Sequence, residues 1–348
     1  MNERADNATR GILSVRRLRV HLPPLRSSPW PGKDLIRAVE FFDLDLAEGE
    51  SLVVVGESGS GKSVLTRALA GLEQTRSGSV RLCGQEVLDG AGKDRSAWHA
   101  QVALIPQKPL LDVSPRIRTG TLIADTLKQL GSKRSSEERL ALTETLLVQT
   151  GLATTDASRR VRDLTPVESY QAAVARALAS QPRVLICDAP GETLEFAQRK
   201  AVLELLLAAR RQAGLSLLLT ALDARPWRGL VDRVVSMYMG RVVEQGDTAS
   251  MLDAPAHPYT RALLASGIQI STKRGKRQAS LRVPGDAANP AHPPLGCVFH
   301  PRCPMADAVC VREVPHLRRS GPSPLHYAAC LFAPTTDAED GLHKPVQH

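Results

Sequence analysis

At 348 residues the chain exceeds one average domain, which predicts one large domain with a small appendage. A hydrophobic content of 43% supplies a sizeable core, and with only 3% aromatics that core must consist mainly of Leu, Val, Ala and Ile. The formal charge of +9 admits nucleic acid or anionic lipid, but so few aromatics argue against base-stacking platforms, and a solvated basic surface with no nucleic-acid partner is expected.

Met1 to Arg10 is polar and charged with no apolar run behind it, unlike a signal peptide. Apolar runs such as Leu215 to Leu222 fall short of the roughly 18 to 20 residues a spanning helix needs, so a cytoplasmic chain that meets a membrane only through partners is expected. Ile12 to Leu22 and Leu35 to Leu46 read as strands joined by the Pro/Ser-rich loop Pro23 to Gly32. Ser51 to Val55 is a short buried strand, followed by a glycine-rich turn and a helix over Val64 to Leu72. Ser79 to Cys83 and Gln101 to Pro106 predict two further strands. Between Ile117 and Ser180 the period becomes helical, in three amphipathic segments with acidic or Ser-rich starts. Arg183 to Cys187 returns to strand, Glu192 to Ala213 predicts a long helix, and Leu215 to Thr220 another strand. Buried strands alternating with helices predict an α/β core with a mainly parallel sheet and an inserted helical subdomain. Of the six cysteines, Cys83 and Cys187 lie in apolar strand patterns and are expected as buried core thiols.

The strongest signal is Gly56-Glu57-Ser58-Gly59-Ser60-Gly61-Lys62-Ser63, a complete G-x-x-x-x-G-K-[ST] placed after a buried strand and opening a helix. Glycines let the backbone turn tightly enough for successive N–H groups to surround an anion, and the helix N-terminus favours negative charge. Lys62 is expected on the β- and γ-phosphates of a bound ATP or GTP, and the Ser63 hydroxyl on Mg²⁺. Such a site needs a carboxylate on a neighbouring strand, and Asp188, ending Arg183 to Cys187, fits.

With both motifs placed, the chain resembles the ATPase subunits of ABC transporters over residues 12–267, and within them the oligopeptide/dipeptide (nickel) importer branch. Ile105-Pro-Gln107 with Pro115-Arg116, Val174-Ala-Arg-Ala-Leu178, Gly240-Arg-Val-Val-Glu-Gln-Gly246 and His257-Pro-Tyr-Thr-Arg-Ala-Leu-Leu264 carry that resemblance. It implies a P-loop NTPase of ABC-ATPase type with a helical subdomain at about 108–182, then a basic linker over 268–291, a Cys-rich extension over 292–334 and a tail over 335–348. It also implies ATP and Mg²⁺ as cofactors, with Gln107 joining Ser63 and Asp188 at the magnesium shell. The implied partners are a second ATPase subunit met face to face, two permeases and an extracytoplasmic substrate-binding protein. The implied location is peripheral, on the cytoplasmic side of the inner membrane.

Several positions depart from the family pattern. The Glu expected after the magnesium Asp is Ala189, and the switch His falls on Ala221, so no catalytic residue of the usual pair is intact. Loss of a positioned general base costs on the order of 10²- to 10⁴-fold in rate. The signature Leu-Ser-Gly-Gly-Gln is Leu164-Thr165-Pro166-Val167-Glu168: Pro166 lacks an N–H, Val167 adds bulk, and Glu168 adds negative charge. The usual Ser-Ala-Leu-Asp loop is Glu192-Thr193-Leu194-Glu195, and the adenine-stacking aromatic falls on Leu22, with Trp30 nearby as a substitute. The leading expectation is an importer's ATP-binding subunit with a hydrolytically weak site. The rival readings are a regulatory pseudo-ATPase subunit and a soluble ABC protein without a transporter.

Cys297, Cys303, Cys310 and Cys330 cluster late in the chain with spacing C-x5-C-x6-C-x19-C, which argues for metal over disulfides in a reducing cytosol. Gly296-Cys-Val-Phe-His-Pro-Arg-Cys-Pro304 with Ala329-Cys330 resembles the C-terminal extension of peptide-importer ATPases. In some members that extension holds an iron–sulfur cluster, here a [4Fe-4S] cluster with four thiolate ligands; zinc and free thiols are the alternatives. His292, His300, His316 and His326 are expected as ordinary loop histidines.

Overall fold

A computed structural model describes residues 11–24, 34–86, 96–129, 134–266, 285, 288–321 and 323–335. Met1 to Arg10, Trp30, most of the 268–291 linker and nearly all of the 335–348 tail lie outside them.

The first strands, β1 (Leu13–Leu22) and β2 (Ile36–Leu46), pair antiparallel, and with β4 (Ser77–Leu82) and β5 (Gln85–Glu86) they form a sheet ordered β2-β1-β4-β5. A second sheet has the order β11-β12-β10-β9-β3-β8-β7-β6. At its centre β3 (Ser51–Val55) runs parallel to β8 (Ser216–Ala221) and β9 (Arg233–Tyr238), with β7 (Val184–Cys187) and β6 (Val102–Ile105) parallel beyond β8. Continuous apolar runs suit these central strands because both faces are covered. Side chains alternate across β3: Leu52 and Val54 pack with β1, β2 and β4, whereas Val53 and Val55 pack with the helices on the opposite face. Among the described residues the two large cores are thus separated by one sheet, and a small third cluster joins Ala256 to Ala328 and Ala333.

Helix α1 (Lys62–Leu69) follows β3 directly, and α2 (Ser96–Gln101) precedes β6. The helical block consists of α3 (Thr119–Gln129), α4 (Ser136–Gln149) and α5 (Pro166–Leu178), the three segments expected. Ser135 and Glu138 cap α4 reciprocally at 3.1 and 2.6 Å. Helix α6 (Phe196–Ala213) starts four residues later than the pattern at Glu192 suggests. The delay has a local cause: Gly191 takes φ +68°, so residues 191–194 form a turn.

Strand β10 (Arg241–Asp247) returns antiparallel to β9, and α7 (Thr248–Asp253) and α8 (Pro258–Ser266) follow. The Cys-rich extension contributes α9 (Ala308–Arg312), β11 (Arg318–Arg319) and β12 (Tyr327–Ala328), and β12 pairs with β10. It therefore continues the main sheet. Glu244 fixes that junction. Fully buried, its carboxylate accepts hydrogen bonds from Ala256 N (2.6 Å), His257 N (3.0 Å) and His326 Nε2 (2.7 Å).

Two expectations need correction. His326 is not an ordinary loop histidine but is wholly buried on Glu244. Cys83 is not a core thiol: it is exposed beyond the end of β4 with φ +51°, and Arg183 Nη1 lies 3.1 Å from its sulfur. Cys187 is buried on β7 as expected. Among the described residues no helix is long and apolar enough to cross a membrane.

Glu244→Ala would strand three buried donors at once. It is expected to cost at least about 3 kcal/mol of unfolding free energy, measured by urea denaturation at neutral pH. His326→Gln, which keeps a donor, should cost less.

Candidate nucleotide site

The phosphate-loop sequence forms the turn between β3 and α1, wedged between two backbones. A Cβ on Gly61 (φ +104°) would lie 2.0 Å from Ala38 O, and one on Gly56 would lie 2.3 Å from Met237 O. Neither position tolerates a side chain, because the loop has been pushed against β2 and β9. Gly240 N donates to Ser60 O at 2.9 Å and holds the loop from a third side. Lys62 is buried and its ammonium donates to Gly56 O (2.7 Å), Glu57 O (2.9 Å) and Ser60 Oγ (3.3 Å). Burial pushes its pKa down to about 8, against the raising influence of Glu192, Asp188 and Glu57. Ser58, Gly59 and Ser63 are exposed around the mouth.

Asp188 sits at the end of β7 with little exposure. Thr220 orients it: the Thr220 hydroxyl donates to Asp188 Oδ1 at 2.7 Å and accepts from Ala189 N at 2.8 Å. Ala189 follows in the left-handed region (φ +45°), with only a methyl group to offer. Ala221 ends β8, and its carbonyl accepts from Gly56 N at 3.3 Å. Gln107 is exposed beyond β6, and its carbonyl accepts a 2.9 Å bond from the Tyr170 hydroxyl, which in turn accepts from Gly191 N at 2.9 Å. Glu192 reaches into the same space: it accepts from Leu222 N at 3.2 Å and from Gln107 Nε2 at 3.4 Å. Burial raises the Glu192 pKa, and Lys62 is the foremost charge opposing that rise. Leu22 packs partly against the core below β1 and β2.

Sequence reasoning found Gly56 to Ser63, Gln107 and Asp188, and these gather at one end of the parallel strands. It missed Thr220 and Tyr170, which carry no motif, and it read Glu192 only as a departure.

The signature segment lies at the N-terminus of α5. Thr165 is the N-cap; its hydroxyl accepts from Glu168 N (3.3 Å) and the Glu168 carboxylate accepts from Thr165 N (2.6 Å). Pro166 occupies the first helical turn, where a missing N–H breaks no helical hydrogen bond. The charge on Glu168 is not loose either: Arg159 grips it at 2.8 and 3.0 Å and holds its carboxyl well below the usual range.

Cys297, Cys303, Cys310 and Cys330 line one cleft, with His257 and Phe299. All four are free thiols. Burial pushes Cys297 up to about 11, and the neighbouring thiols add to that rise. Soft thiol donors suit iron–sulfur or zinc chemistry. Yet among the described residues no group of three or more His, Cys, Asp or Glu side chains stands in metal-binding geometry. The His300 ring is tied to Cys297 O at 2.9 Å, His292 is exposed 3.1 Å from Asp34, and His316 is exposed.

Between two of these cysteines in sequence, Arg302 crosses to the phosphate loop. Its guanidinium forks onto Glu57 at 2.7 and 3.0 Å and donates to the Tyr238 hydroxyl at 3.3 Å. The Tyr259 hydroxyl accepts from Glu57 N at 2.8 Å, and Phe299 stacks edge-on against Tyr238 and Tyr259. The extension therefore buttresses the back of the phosphate loop.

Comparison with known proteins agrees with these features. Residues 39–192 match the ABC transporter family model, and residues 243–310 match that of the oligopeptide/dipeptide transporter C-terminal region. The chain is 33% identical over 323 residues to the oligopeptide transport ATP-binding protein OppF of Escherichia coli, covering 92% of this chain and 96% of that one. It is 35% identical over 308 residues to the di/tripeptide transport ATP-binding protein DppF of Pseudomonas aeruginosa, covering 88% and 94%. Among solved structures, the dimeric ATP-binding cassette MJ0796 with ADP and Pi superposes with a TM-score of 0.59 at 20% identity, covering 68% of this chain and 98% of that one. The cbiO1 protein of Clostridium perfringens, part of the cbiONQ transporter complex, gives 0.58 at 21%, covering 70% and 92%.

Arg302→Met removes the fork while keeping an apolar stem. Loss of the Glu57 contact should loosen the loop and weaken MgATP binding about tenfold, equivalent to about 1.4 kcal/mol, in a titration with fluorescent ATP. Thermal unfolding of the same variant shows whether the fold survives.

Proposed function

Because the chain belongs to the ABC transporter family, in the branch of oligopeptide and dipeptide importer ATP-binding proteins, we propose that it is the ATP-binding subunit of a peptide-type importer. One observation carries this reading: a complete phosphate loop, braced on three sides, faces Asp188 across adjoining parallel strands. In the proposed site, backbone N–H groups of Gly56 to Ser63 surround the β- and γ-phosphates. Lys62 turns from its own loop carbonyls to the phosphates. Ser63, Asp188 and Gln107 offer the hard oxygen donors that suit Mg²⁺, which when bound neutralises phosphate charge. Two such subunits would meet face to face, with permeases and an extracytoplasmic binding protein completing the system, and the chain would sit peripherally on the cytoplasmic face of the membrane.

The same reading assigns residues 12–267 to the ATPase domain, 268–291 to a linker and 292–334 to the extension. It also makes this chain's own site a slow one. The side chains of Ala189 and Ala221 offer no polar atom to water or γ-phosphate, and Leu164 to Glu168 offer a partner's nucleotide a helix terminus whose cap is already satisfied from within. For the extension, the four cysteines that line one cleft are the basis for proposing a [4Fe-4S] cluster, with zinc as the alternative.

The nucleotide reading is tested by Lys62→Ala, which should abolish MgATP binding in equilibrium dialysis while leaving the unfolding transition in place. Retained binding would sink it. The metal reading is tested on anaerobically purified chain: brown protein with iron that largely disappears in Cys297→Ser, Cys303→Ser, Cys310→Ser or Cys330→Ser. Stoichiometric zinc selects the alternative metal, and metal-free protein with four titratable thiols removes both.

A further inference from the structure

We propose that Glu192 supplies the carboxylate missing after Asp188, and that it orients the water attacking the γ-phosphate of ATP. This rests on the reading that Gly56 to Ser63 bind ATP. It concerns the first residue of the loop that usually reads Ser-Ala-Leu-Asp, three positions beyond the place where a carboxylate is expected.

Two hydrogen bonds locate the side chain. Oε1 accepts from Leu222 N, the amide following Ala221, and Oε2 accepts from Gln107 Nε2, at 3.2 and 3.4 Å. Glu192 thus spans the gap between the end of β8 and the segment after β6. Ala221 O, in the same peptide unit as Leu222 N, accepts from Gly56 N at 3.3 Å, so the carboxylate is held beside the first residue of the phosphate loop. Lys62 and Arg199 oppose the rise that burial gives its pKa, and Asp188 adds to it.

The turn bearing it is held in advance. The Tyr170 hydroxyl joins Gly191 N to Gln107 O, 2.9 Å on each side, so one side chain sets both Glu192 and its Gln107 partner. Arg199 fixes the other side of the turn, donating to Gly191 O at 3.1 Å and Glu192 O at 2.9 Å. Gly191 at φ +68° gives the bend that brings position 192 back toward the strand ends. Ala189, two residues before this bend, and Ala221, just before Leu222, carry only methyl side chains. A carboxylate on a preorganised turn, between an amide and a strand end, is suited to accept a hydrogen bond from water.

In the step itself the water oxygen bonds to the γ-phosphorus as the bond from that phosphorus to the β–γ bridging oxygen breaks. The bonding pair leaves with ADP, and the water proton passes to a phosphoryl oxygen, so that ATP and water become ADP and inorganic phosphate. Glu192 accepts a hydrogen bond from the water throughout and fixes its line of attack. Misplacement of a reacting atom by 1 Å costs about 10²-fold, which sets the scale of the effect.

The test is single-turnover hydrolysis of γ-labelled MgATP by the full-length chain, purified with its co-expressed transporter partners and present in excess over nucleotide. Any partner ATPase is disabled at its phosphate-loop lysine. Glu192→Gln keeps size and hydrogen bonding but loses the anionic acceptor. It should slow turnover about tenfold or more, leave the MgATP dissociation constant within about threefold, and leave bound nucleotide as triphosphate where the unaltered chain holds ADP. Returning the carboxylate to its usual place in the double variant Ala189→Glu with Glu192→Gln should restore turnover. Unchanged or faster hydrolysis by Glu192→Gln overturns the inference, since it would mark the side chain as an obstruction; so does undetectable turnover in an unaltered chain that binds MgATP. Failure of the unaltered chain to bind MgATP overturns the nucleotide reading instead.

Discussion

The structure depends on how closely the phosphate loop is pressed against the strands behind it. With Gly61 backed onto Ala38 O and Gly56 onto Met237 O, the loop has no room to move back against these strands. Gly56 N, Glu57 N and Ser60 N are bonded to Ala221 O, the Tyr259 hydroxyl and Glu57 O, which fixes the loop's path. The same compression buries Lys62, which satisfies its ammonium with carbonyls of its own loop. A preformed anion cradle of this kind pays little reorganisation when a triphosphate arrives. It also needs bracing, because a tight turn of glycines has no side chains with which to hold itself. That bracing comes from far along the chain, through Tyr259 on Glu57 N and Arg302 on the Glu57 carboxylate. The Cys-rich extension is in this sense part of the loop's foundation.

Charge balance follows from the same geometry. Lys62 faces Asp188, Glu192 and Glu57, three carboxylates around one ammonium. Arg302 takes Glu57 out of that balance through a nearly buried fork, since its side chain is only 6% exposed. Thr220 takes part of Asp188. Glu192 accepts from Leu222 N and Gln107, and burial raises its pKa while Lys62 and Arg199 oppose the rise. A buried carboxylate is tolerated where hydrogen bonds and nearby cations offset its desolvation.

Much of this was legible in the sequence because its determinants are local. The apolar run Ser51 to Val55, the glycines after it and the helix opening at Lys62 are contiguous, and period and spacing suffice to place them. Asp188 was legible as the polar residue ending a buried strand. The contacts that escaped are those between distant segments. Arg302 and Glu57 lie 245 positions apart, and Glu244 and His326 lie 82 apart, so no window of sequence contains either pair. Cys83 was misplaced because its strand ends one residue early and because 83 falls on the exposed phase of an alternation in which Val80 and Leu82 are buried and Arg81 is not; there the chain turns with positive φ. Glu192 was legible as a departure but not as a replacement, since only the left-handed Gly191 shows which way the side chain returns.

The two departures from the family pattern are of different physical kinds, which bears on how the proposed site would work. At Ala189 and Ala221 the side-chain polar atoms are gone, and the carboxylate that comes back toward these strand ends is that of Glu192. At Thr165 to Glu168 a hydroxyl is kept, one N–H is lost at Pro166 and a carboxylate stands in place of an amide, and the remaining polar atoms bond to one another and to Arg159. A helix N-terminus attracts phosphate through amides left without partners, and a reciprocal cap removes two of them from that pool. A partner's nucleotide would thus meet a more stable helix with a weaker hold on anions. On the proposed reading the chain keeps its own phosphate cradle intact and gives up part of what it lends across the interface, so the two nucleotides of a dimer would experience unlike surroundings even with identical triphosphates bound. Such an asymmetry favours a role in which this subunit's site holds ATP for long periods, and turnover is governed by the few polar groups that remain around it.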